Sequence, residues 1–401
     1  MKRLILLFVP LLVLGCADPN EGPDPDTGGN QTTPNASLPD ADLPDVVEPP
    51  GAEPTMEALF TRPQAGQPDT TLEDLFIELL EDTPAGAEVR GAFFSFSLDS
   101  VAQALSETKE RGVDVQIVLG NTNRAGSGQE FGSVGTLRDG LGDDLTICSE
   151  GSMQGACLGS NIQHNKFLLI SELDNGDEHV VVQSSGNVTR AQQSQYDNLV
   201  IFTGDQAVYE AYEAYFHDLQ ADERDPDYHR VAQGETATTI YFSPYSAGDP
   251  VEDDLRQVEC EEGDEIYLAM AFFTDARVEV AQLLSELDQD GCDVNVLLRW
   301  SDINSPGQFV WNVVRSGEID VGYFPEDEAI QLHHKYLVYR THRSDGEGQL
   351  PVVWTGSHNF THSALVHNDE VLLRIEDDEL FQAFREDWVL MRDRAETEWP
   401  N

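Results

Sequence analysis

Two histidine–lysine pairs stand out in this sequence because each occurs at the start of an apolar run. His164 and Lys166 are two residues apart, and so are His333 and Lys335. Residues two apart in a strand point to the same face, so each imidazole is expected beside an ammonium group. Such a pair suits reactions of an anionic substrate, because the imidazole can attack or donate a proton while the ammonium neutralises charge.

A serine and an asparagine follow each pair at similar spacing. Ser185 and Asn187 follow the first pair, and Ser357 and Asn359 follow the second. Both serines and both asparagines are displaced by 172 residues from one half to the other. These matches indicate an internal repeat.

An aspartate extends the match further along the chain. Asp197 and Asp369 are displaced by the same 172 residues as the serines. A carboxylate bonded to the far nitrogen of an imidazole fixes its tautomer and basicity, which is the role we predict for both aspartates.

These residue types together fit the chemistry of a phosphodiester. The substrate is anionic and resists attack, so a site needs cations and donors around the non-bridging oxygens, a nucleophile and an acid for the leaving oxygen. The two lysines, asparagines and serines would bind the oxygens, and the two imidazoles would serve as nucleophile and acid. A zinc site is disfavoured because paired lysines repel a cation, so no metal is expected.

The elements that position these residues also repeat. The pattern predicts a buried strand at 89–96, a helix ending at Gly112 and a second strand at 113–119, and residues 265–298 repeat this order. Strand, helix and strand imply parallel pairing with a right-handed crossover. We therefore predict an α/β fold of two tandem αβα-sandwich repeats with mixed sheets, related by a pseudo-twofold axis, with the site at their interface.

The doubled His-x-Lys and Ser-x-Asn pattern resembles the phospholipase D superfamily over residues 56–395. The resemblance implies a two-step reaction through a phosphohistidine, independent of metal or other cofactors. By motif position, His164 would be the nucleophile and His333 the general acid, with the reverse order as the alternative.

The chain departs from the family pattern at three places. Ser171 and Arg340 stand where the family has an aspartate, and Ser184 replaces the glycine that the second half keeps as Gly356. The catalytic histidine, lysine and asparagine types are intact in both halves, so the departures concern the subfamily and not the reaction class.

The N-terminus predicts export. Residues 1–15 have a basic start and a short apolar run typical of a signal peptide, and Cys16 follows a lipobox-like Leu-Gly. The composition of 16–55 predicts a disordered, acidic, proline-rich tether, followed by the two halves at 56–235 and 236–401. We expect an exported cell-envelope lipoprotein of the outer membrane, facing the periplasm or the surface. An ordinary secretory signal is the alternative.

The four remaining cysteines suit an oxidising compartment. Proximity in sequence favours a Cys148–Cys157 disulfide, which leaves Cys260 to pair with Cys292. The sequence has no CxxC spacing, the pattern that would indicate metal binding. The glycine-rich segment Gly120–Gly159 is predicted to be a loop that shapes substrate entry.

The charge of −51 argues against a large nucleic-acid surface, because phosphate backbones are bound through lysine and arginine. The leading hypothesis is a monomer that hydrolyses or transfers a phospholipid headgroup ester, held near lipid by its anchor. A nuclease of the same superfamily and a catalytically silent surface lipoprotein that binds phosphorylated ligands or a partner are the alternatives.

Overall fold

The computed structural model describes residues 53–121, 123, 130–150, 155–301, 305–326, 328–344, 346 and 348–397. The proposed signal peptide, Cys16 and nearly all of the proposed tether lie outside these residues. The strands of the first half are β1 (Thr55–Phe60), β2 (Glu88–Phe93), β3 (Asp114–Leu119), β4 (Leu145–Ile147), β5 (Lys166–Glu172), β6 (Glu178–Ser184), β7 (Gln195–Tyr196) and β8 (Asn198–Thr203). Its helices are α1 (Thr71–Glu81), α2 (Asp99–Glu110), α3 (Gly132–Leu141) and α4 (Gln206–Ala221).

The second half repeats this series with additions. Its strands are β9 (Arg230–Gln233), β10 (Thr238–Ser243), β11 (Val258–Glu259), β12 (Glu265–Met270), β13 (Asp293–Arg299), β14 (Asp320–Phe324), β15 (Gln331–Leu332), β16 (Lys335–Arg343), β17 (Gln349–Gly356) and β18 (Glu370–Ile375). Its helices are α5 (Pro250–Leu255), α6 (Val278–Asp290), α7 (Gln308–Val314), α8 (His362–Val366) and α9 (Asp378–Arg392).

The two large sheets have the same strand order. The first sheet runs β1-β8-β6-β5-β2-β3-β4, and the second runs β10-β18-β17-β16-β12-β13-β14, with β9 beside β10 and β11 beside β16. In both, the last three strands are parallel and the others are antiparallel. The predicted α/β class and the doubled sandwich are therefore confirmed. Strand β9, although N-terminal to residue 236, belongs to the second sheet.

Each sheet is covered by helices on both faces. Helices α1 to α3 pack on the outer face of the first sheet, and α5 to α7 pack on the outer face of the second. A central core joins the two inner faces, and α4 and α9 contribute Tyr212, Tyr215, Phe381 and Phe384 to it. Because this apolar core contains residues of both sheets, the halves are held together along their inner faces.

The predicted helix ends are confirmed, whereas the first strand is shorter than predicted. Gly112 follows α2 with φ of 98° and Gly291 follows α6 with φ of 110°, a conformation that favours glycine. Strand β2 ends at Phe93, and one further bond, from the backbone N–H of Phe94 to the carbonyl of Asn165, follows its register with β5. The chain thus leaves the strand next to the first histidine–lysine pair.

The segment predicted as the loop Gly120–Gly159 contains α3 and β4, so that prediction is wrong over its described part. Helix α3 buries Val134 and Leu137, and β4 extends the parallel part of the sheet. The glycines of α3 lowered its apparent helix propensity. At least one has a packing role, because a Cβ on Gly140 would lie 2.2 Å from Oγ of Ser106 on α2.

Both predicted disulfides are confirmed. Cys148 is bonded to Cys157 with a Cα–Cα distance of 4.6 Å, and Cys260 to Cys292 with 5.0 Å. The first closes the segment before β5, and the second joins the start of β13 to the segment before β12. None of the described helices combines the length and the apolar composition that spanning a bilayer requires.

Candidate active site

The two histidine–lysine pairs occupy equivalent places at the starts of β5 and β16. Both imidazoles are almost buried, with 7% of each histidine exposed. Each lysine ammonium donates to the carbonyl of its own histidine, at 2.5 Å for Lys166 and 2.6 Å for Lys335. Lys335 also donates to the carbonyl of Ser185, at 3.2 Å, so it contacts the first half directly.

The carboxylates that face the histidines cross between the halves. Nδ1 of His164 lies 2.8 Å from Oε2 of Glu370, and Nδ1 of His333 lies 2.8 Å from Oδ1 of Asp197. Each ring is thus oriented by an acid of the opposite half. With Nδ1 engaged, the other ring nitrogen, Nε2, is the one left to meet a substrate.

Asp197 therefore occupies the predicted orienting position, but Asp369 does not. The Asp369 carboxylate accepts backbone N–H bonds from Cys157 and Gly159, both at 2.6 Å, and from Leu158. Its neighbour Glu370 faces the histidine instead. The prediction for Asp369 is corrected by one residue.

A difference of one residue in serine-to-acid spacing explains the error. The Ser185 hydroxyl donates to Asp197 at 2.7 Å, and the Ser357 hydroxyl donates to Glu370 at 2.6 Å. The acid lies 12 residues after the serine in the first half and 13 in the second. The second half thus has one additional residue between the serine and the acid, and a constant offset of 172 residues pairs Asp197 with Asp369 and passes over Glu370.

The true structural counterpart of Asp369 is Tyr196. The Tyr196 carbonyl accepts the backbone N–H of His333 at 3.0 Å, and the Asp369 carbonyl accepts that of His164 at 2.9 Å. Strand β7, which contains Tyr196, pairs with β15, and a parallel bridge joins Gln163 to Asp369 in the equivalent place. Backbone pairing between the halves therefore holds both histidines.

The predicted serine and asparagine residues have different surroundings. Both serine hydroxyls are buried and donate to the orienting carboxylates, so the structure assigns them to orientation and not to direct phosphate contact. The side-chain oxygens of Asn187 and Asn359 are buried without a hydrogen-bond partner within the part of the chain described. Buried polar atoms without a partner are rare in proteins and are often found where a ligand binds.

Three contributors were missed by the sequence reasoning. Glu370 is the acid that faces His164, and serine-to-acid alignment with one inserted residue would have found it. Gln192 donates to Asp197 and lies 3.3 Å from Nδ1 of His333, with no sequence signal that marks it. The ring of Phe94 lies 4.8 Å from that of His164, at the end of a predicted strand.

Burial dominates the electrostatics of the site. It lowers the pKa of His164 to about 4 and that of His333 to about 3, so both rings are neutral at neutral pH. It also lowers the pKa of Lys335 to about 8 and that of Lys166 well below its usual value, although the site carboxylates oppose both shifts.

The carboxylates respond in the opposite way. Burial alone would raise their pKa, but the interaction with the facing histidine and with the lysines holds the pKa of Asp197 at about 2 and that of Glu370 below its ordinary value. For Asp369, burial raises the pKa to about 7 despite three backbone N–H bonds. The two orienting acids are therefore ionised at neutral pH.

This arrangement suits attack on an anionic ester. A neutral imidazole held by a carboxylate at Nδ1 has a nucleophilic Nε2, and a second imidazole can transfer a proton to or from the opposite side. An incoming phosphate would favour the protonated forms of the lysines and of the acid imidazole, because opposite charges stabilise each other in a buried site.

Comparisons with known proteins agree with this description. Residues 81–220 and 259–389, more than half of the chain, match the family model described as cardiolipin synthase, phospholipase D-like domain. The chain therefore belongs to the phospholipase D-like family. A search of curated protein sequences found no match.

Solved structures share the fold at low sequence identity. Phosphatidylserine synthase from Haemophilus influenzae has a TM-score of 0.53 and 11% identity, with 84% of this chain and 86% of that chain covered. Polyphosphate kinase from Porphyromonas gingivalis has a TM-score of 0.53 and 12% identity over 86% of this chain. The match spans 52% of that kinase, about half its length.

Proposed function

We propose that this protein is a phosphodiesterase that hydrolyses or transfers a phospholipid headgroup ester through a phosphohistidine on His164. The observation that carries the proposal is the crossed pairing of His164 with Glu370 and of His333 with Asp197. Two imidazoles, each oriented by a carboxylate of the other half, provide the nucleophile and the acid–base group that a two-step displacement needs.

The proposed steps follow from these contacts. Nε2 of His164 attacks phosphorus, the bond to the leaving oxygen breaks, and His333 gives that oxygen a proton. His333 then takes a proton from water or an acceptor alcohol, which attacks phosphorus and releases His164. Lys166 and Lys335 stabilise the charge on the non-bridging oxygens while they are protonated.

The choice of a lipid substrate has separate support. The family description and the phosphatidylserine synthase neighbour both name phospholipid enzymes. The N-terminal sequence, with Cys16 as the lipidation site, would hold the enzyme in the cell envelope close to lipid. A net charge of −51 opposes binding of nucleic acid, so the nuclease alternative has less support.

The test uses residues 56–401 with phospholipid micelles and, separately, plasmid DNA, in the presence of EDTA. We expect headgroup release that persists in EDTA and is lost in His164→Ala and His333→Ala. DNA cleavage without headgroup release would make the protein a nuclease. No activity on either substrate would favour a binding protein without catalysis.

A further inference from the structure

The pseudo-twofold symmetry of the fold is broken where β3 and β13 end. Strand β3 pairs with β2 in the same parallel register as β13 pairs with β12. The residues that directly follow the last pair in each half, Gly120 and Arg299, are therefore counterparts. At Gly120 a side chain has no room, because a Cβ would lie 2.9 Å from the carbonyl oxygen of Phe94. The second half places a cation at this position, and the first half cannot.

Arg299 has no carboxylate at ion-pair distance among the described residues. Its guanidinium lies 5.3 Å from the ring centre of Phe272, and its Nε is buried without a hydrogen-bond partner. By contrast, Arg277 is paired with Asp249 at 2.6 Å. In a chain with 74 acidic and 23 basic residues, an arginine without a close carboxylate is free to bind an external anion.

Strand pairing brings Arg299 to the same end of the sheet as Lys335, because Met270 of β12 pairs with Lys335 on one side and with Leu298, the residue before Arg299, on the other. The charge of Arg299 is one of the causes that lower the pKa of Lys335, after burial. Glu326 is the acid that acts on Arg299 itself, and it opposes the lowering of the Arg299 pKa by burial. The cation of Arg299 therefore lies at the end of the sheet that carries Lys335.

The other end of the site has a different character. Phe94 lies beside His164, and its ring centre is 5.2 Å from the ammonium of Lys166. The apolar ring is next to the proposed nucleophile, whereas Arg299 is on the side of the proposed acid. The group that stays on the nucleophile and the alcohol that leaves would therefore meet different surroundings.

We propose that Arg299 binds a second anionic group, a phosphate or a carboxylate, on the leaving alcohol of the phosphodiester. This inference rests on the proposed function, which places the leaving oxygen beside His333. Arg299 makes and breaks no bond. It selects substrates whose headgroup carries its own negative charge. An arginine suits this role because its planar guanidinium can donate two parallel hydrogen bonds to a phosphate or a carboxylate.

The test measures anion binding by calorimetry with inorganic orthophosphate and pyrophosphate, which carry one and two phosphate groups. The variant is Arg299→Gln in the soluble protein. Arg315→Gln is the control, because Arg315 lies at the same 5.3 Å from a ring, that of Trp311, at an exposed position. Both variants change the net charge by the same amount.

We expect Arg299→Gln to weaken pyrophosphate binding about tenfold or more and orthophosphate binding by less than about threefold, since one charge-assisted contact is lost. Arg315→Gln is expected to change neither. Equal weakening of both anions, or no change, would overturn the second anion site. A wild-type protein that binds neither anion would overturn the phosphoryl site itself, and so the proposed function as well.

Discussion

At the scale of single residues, the site depends on which carboxylate faces each imidazole. Glu370 and Asp369 are adjacent in sequence, but only Glu370 reaches His164. Replacing Glu370 with glutamine keeps the shape and removes the charge that fixes the tautomer and basicity of the ring. We expect Glu370→Gln to lower kcat about a hundredfold or more, measured on a soluble phosphodiester.

Asp369→Asn is the matched control for that variant. It replaces one of the two oxygens that accept the backbone N–H groups of Cys157 and Gly159 by an amide NH2 group, and a buried donor left without an acceptor costs about 1–3 kcal/mol. We therefore expect a lower Tm with kcat within about fivefold of wild type. If Asp369→Asn reduced kcat as much as Glu370→Gln, the assignment of the orienting acid would be wrong.

The lysines predict a pH dependence. Burial lowers the pKa of Lys335 to about 8 and that of Lys166 well below its usual value. Both side chains therefore lose their positive charge at a lower pH than an exposed lysine does. Activity should therefore fall as pH increases, with a limb in kcat/KM at or below about pH 8. Constant kcat/KM up to pH 10 would show that neither ammonium stabilises the transition state.

The residues at the centre of the proposed site were predictable because they are repeated. His164, Lys166, His333 and Lys335 occur in a doubled pattern that chance does not readily produce. Glu370 was missed because one inserted residue shifts the second acid relative to its serine. Contacts that depend on tertiary packing, such as that of Gln192 with Asp197, leave no periodic signal in the chain.

At the scale of elements, the two disulfides have different relations to the site. Cys148–Cys157 closes a loop with a sequence separation of 9, and the N–H of Cys157 is bonded to Asp369, next to the orienting Glu370. Cys260–Cys292 spans 32 residues and joins the segments before β12 and β13. The first disulfide is thus connected to the site through Asp369 and its neighbour Glu370, whereas the second holds together the segments that lead into two strands of the sheet.

Replacing each cysteine pair by serines should separate these effects. Loop entropy predicts a loss of about 3 kcal/mol in the free energy of unfolding for the first pair and about 4 kcal/mol for the second. We expect the larger loss of kcat from Cys148→Ser/Cys157→Ser, measured below the unfolding transition. A loss of activity in Cys260→Ser/Cys292→Ser alone would show that the first disulfide does not support the site.

The elements themselves were predictable to different degrees. The buried strands β3 and β13 and the helix ends at Gly112 and Gly291 follow from apolar runs and glycine positions. Helix α3 was not recognised because its glycines resemble a loop. The close packing of Gly140 against Ser106 of α2 depends on a neighbour that local sequence does not reveal.

At the scale of the whole molecule, net charge affects how an anionic substrate approaches the site. The chain has a net charge of −51, which repels an anionic substrate before it reaches the site. Added salt screens this repulsion, so kcat/KM for bis(p-nitrophenyl) phosphate should rise severalfold between about 20 and 200 mM NaCl. A zwitterionic phosphocholine ester should respond less, and a steady fall with salt for the anionic ester would instead indicate a basic binding surface.

We propose that both halves form one site, with His164 as the nucleophile and His333 as the acid–base group. The most direct test is to mix His333→Asn with bis(p-nitrophenyl) phosphate, whose leaving group needs no proton, and to locate the adduct by peptide mass spectrometry. We predict a burst of about one equivalent of p-nitrophenolate and a phosphoryl adduct on His164, because the second step lacks its base. His164→Asn should give neither. An adduct on His333 in that variant, or no covalent adduct in either variant, would contradict the account.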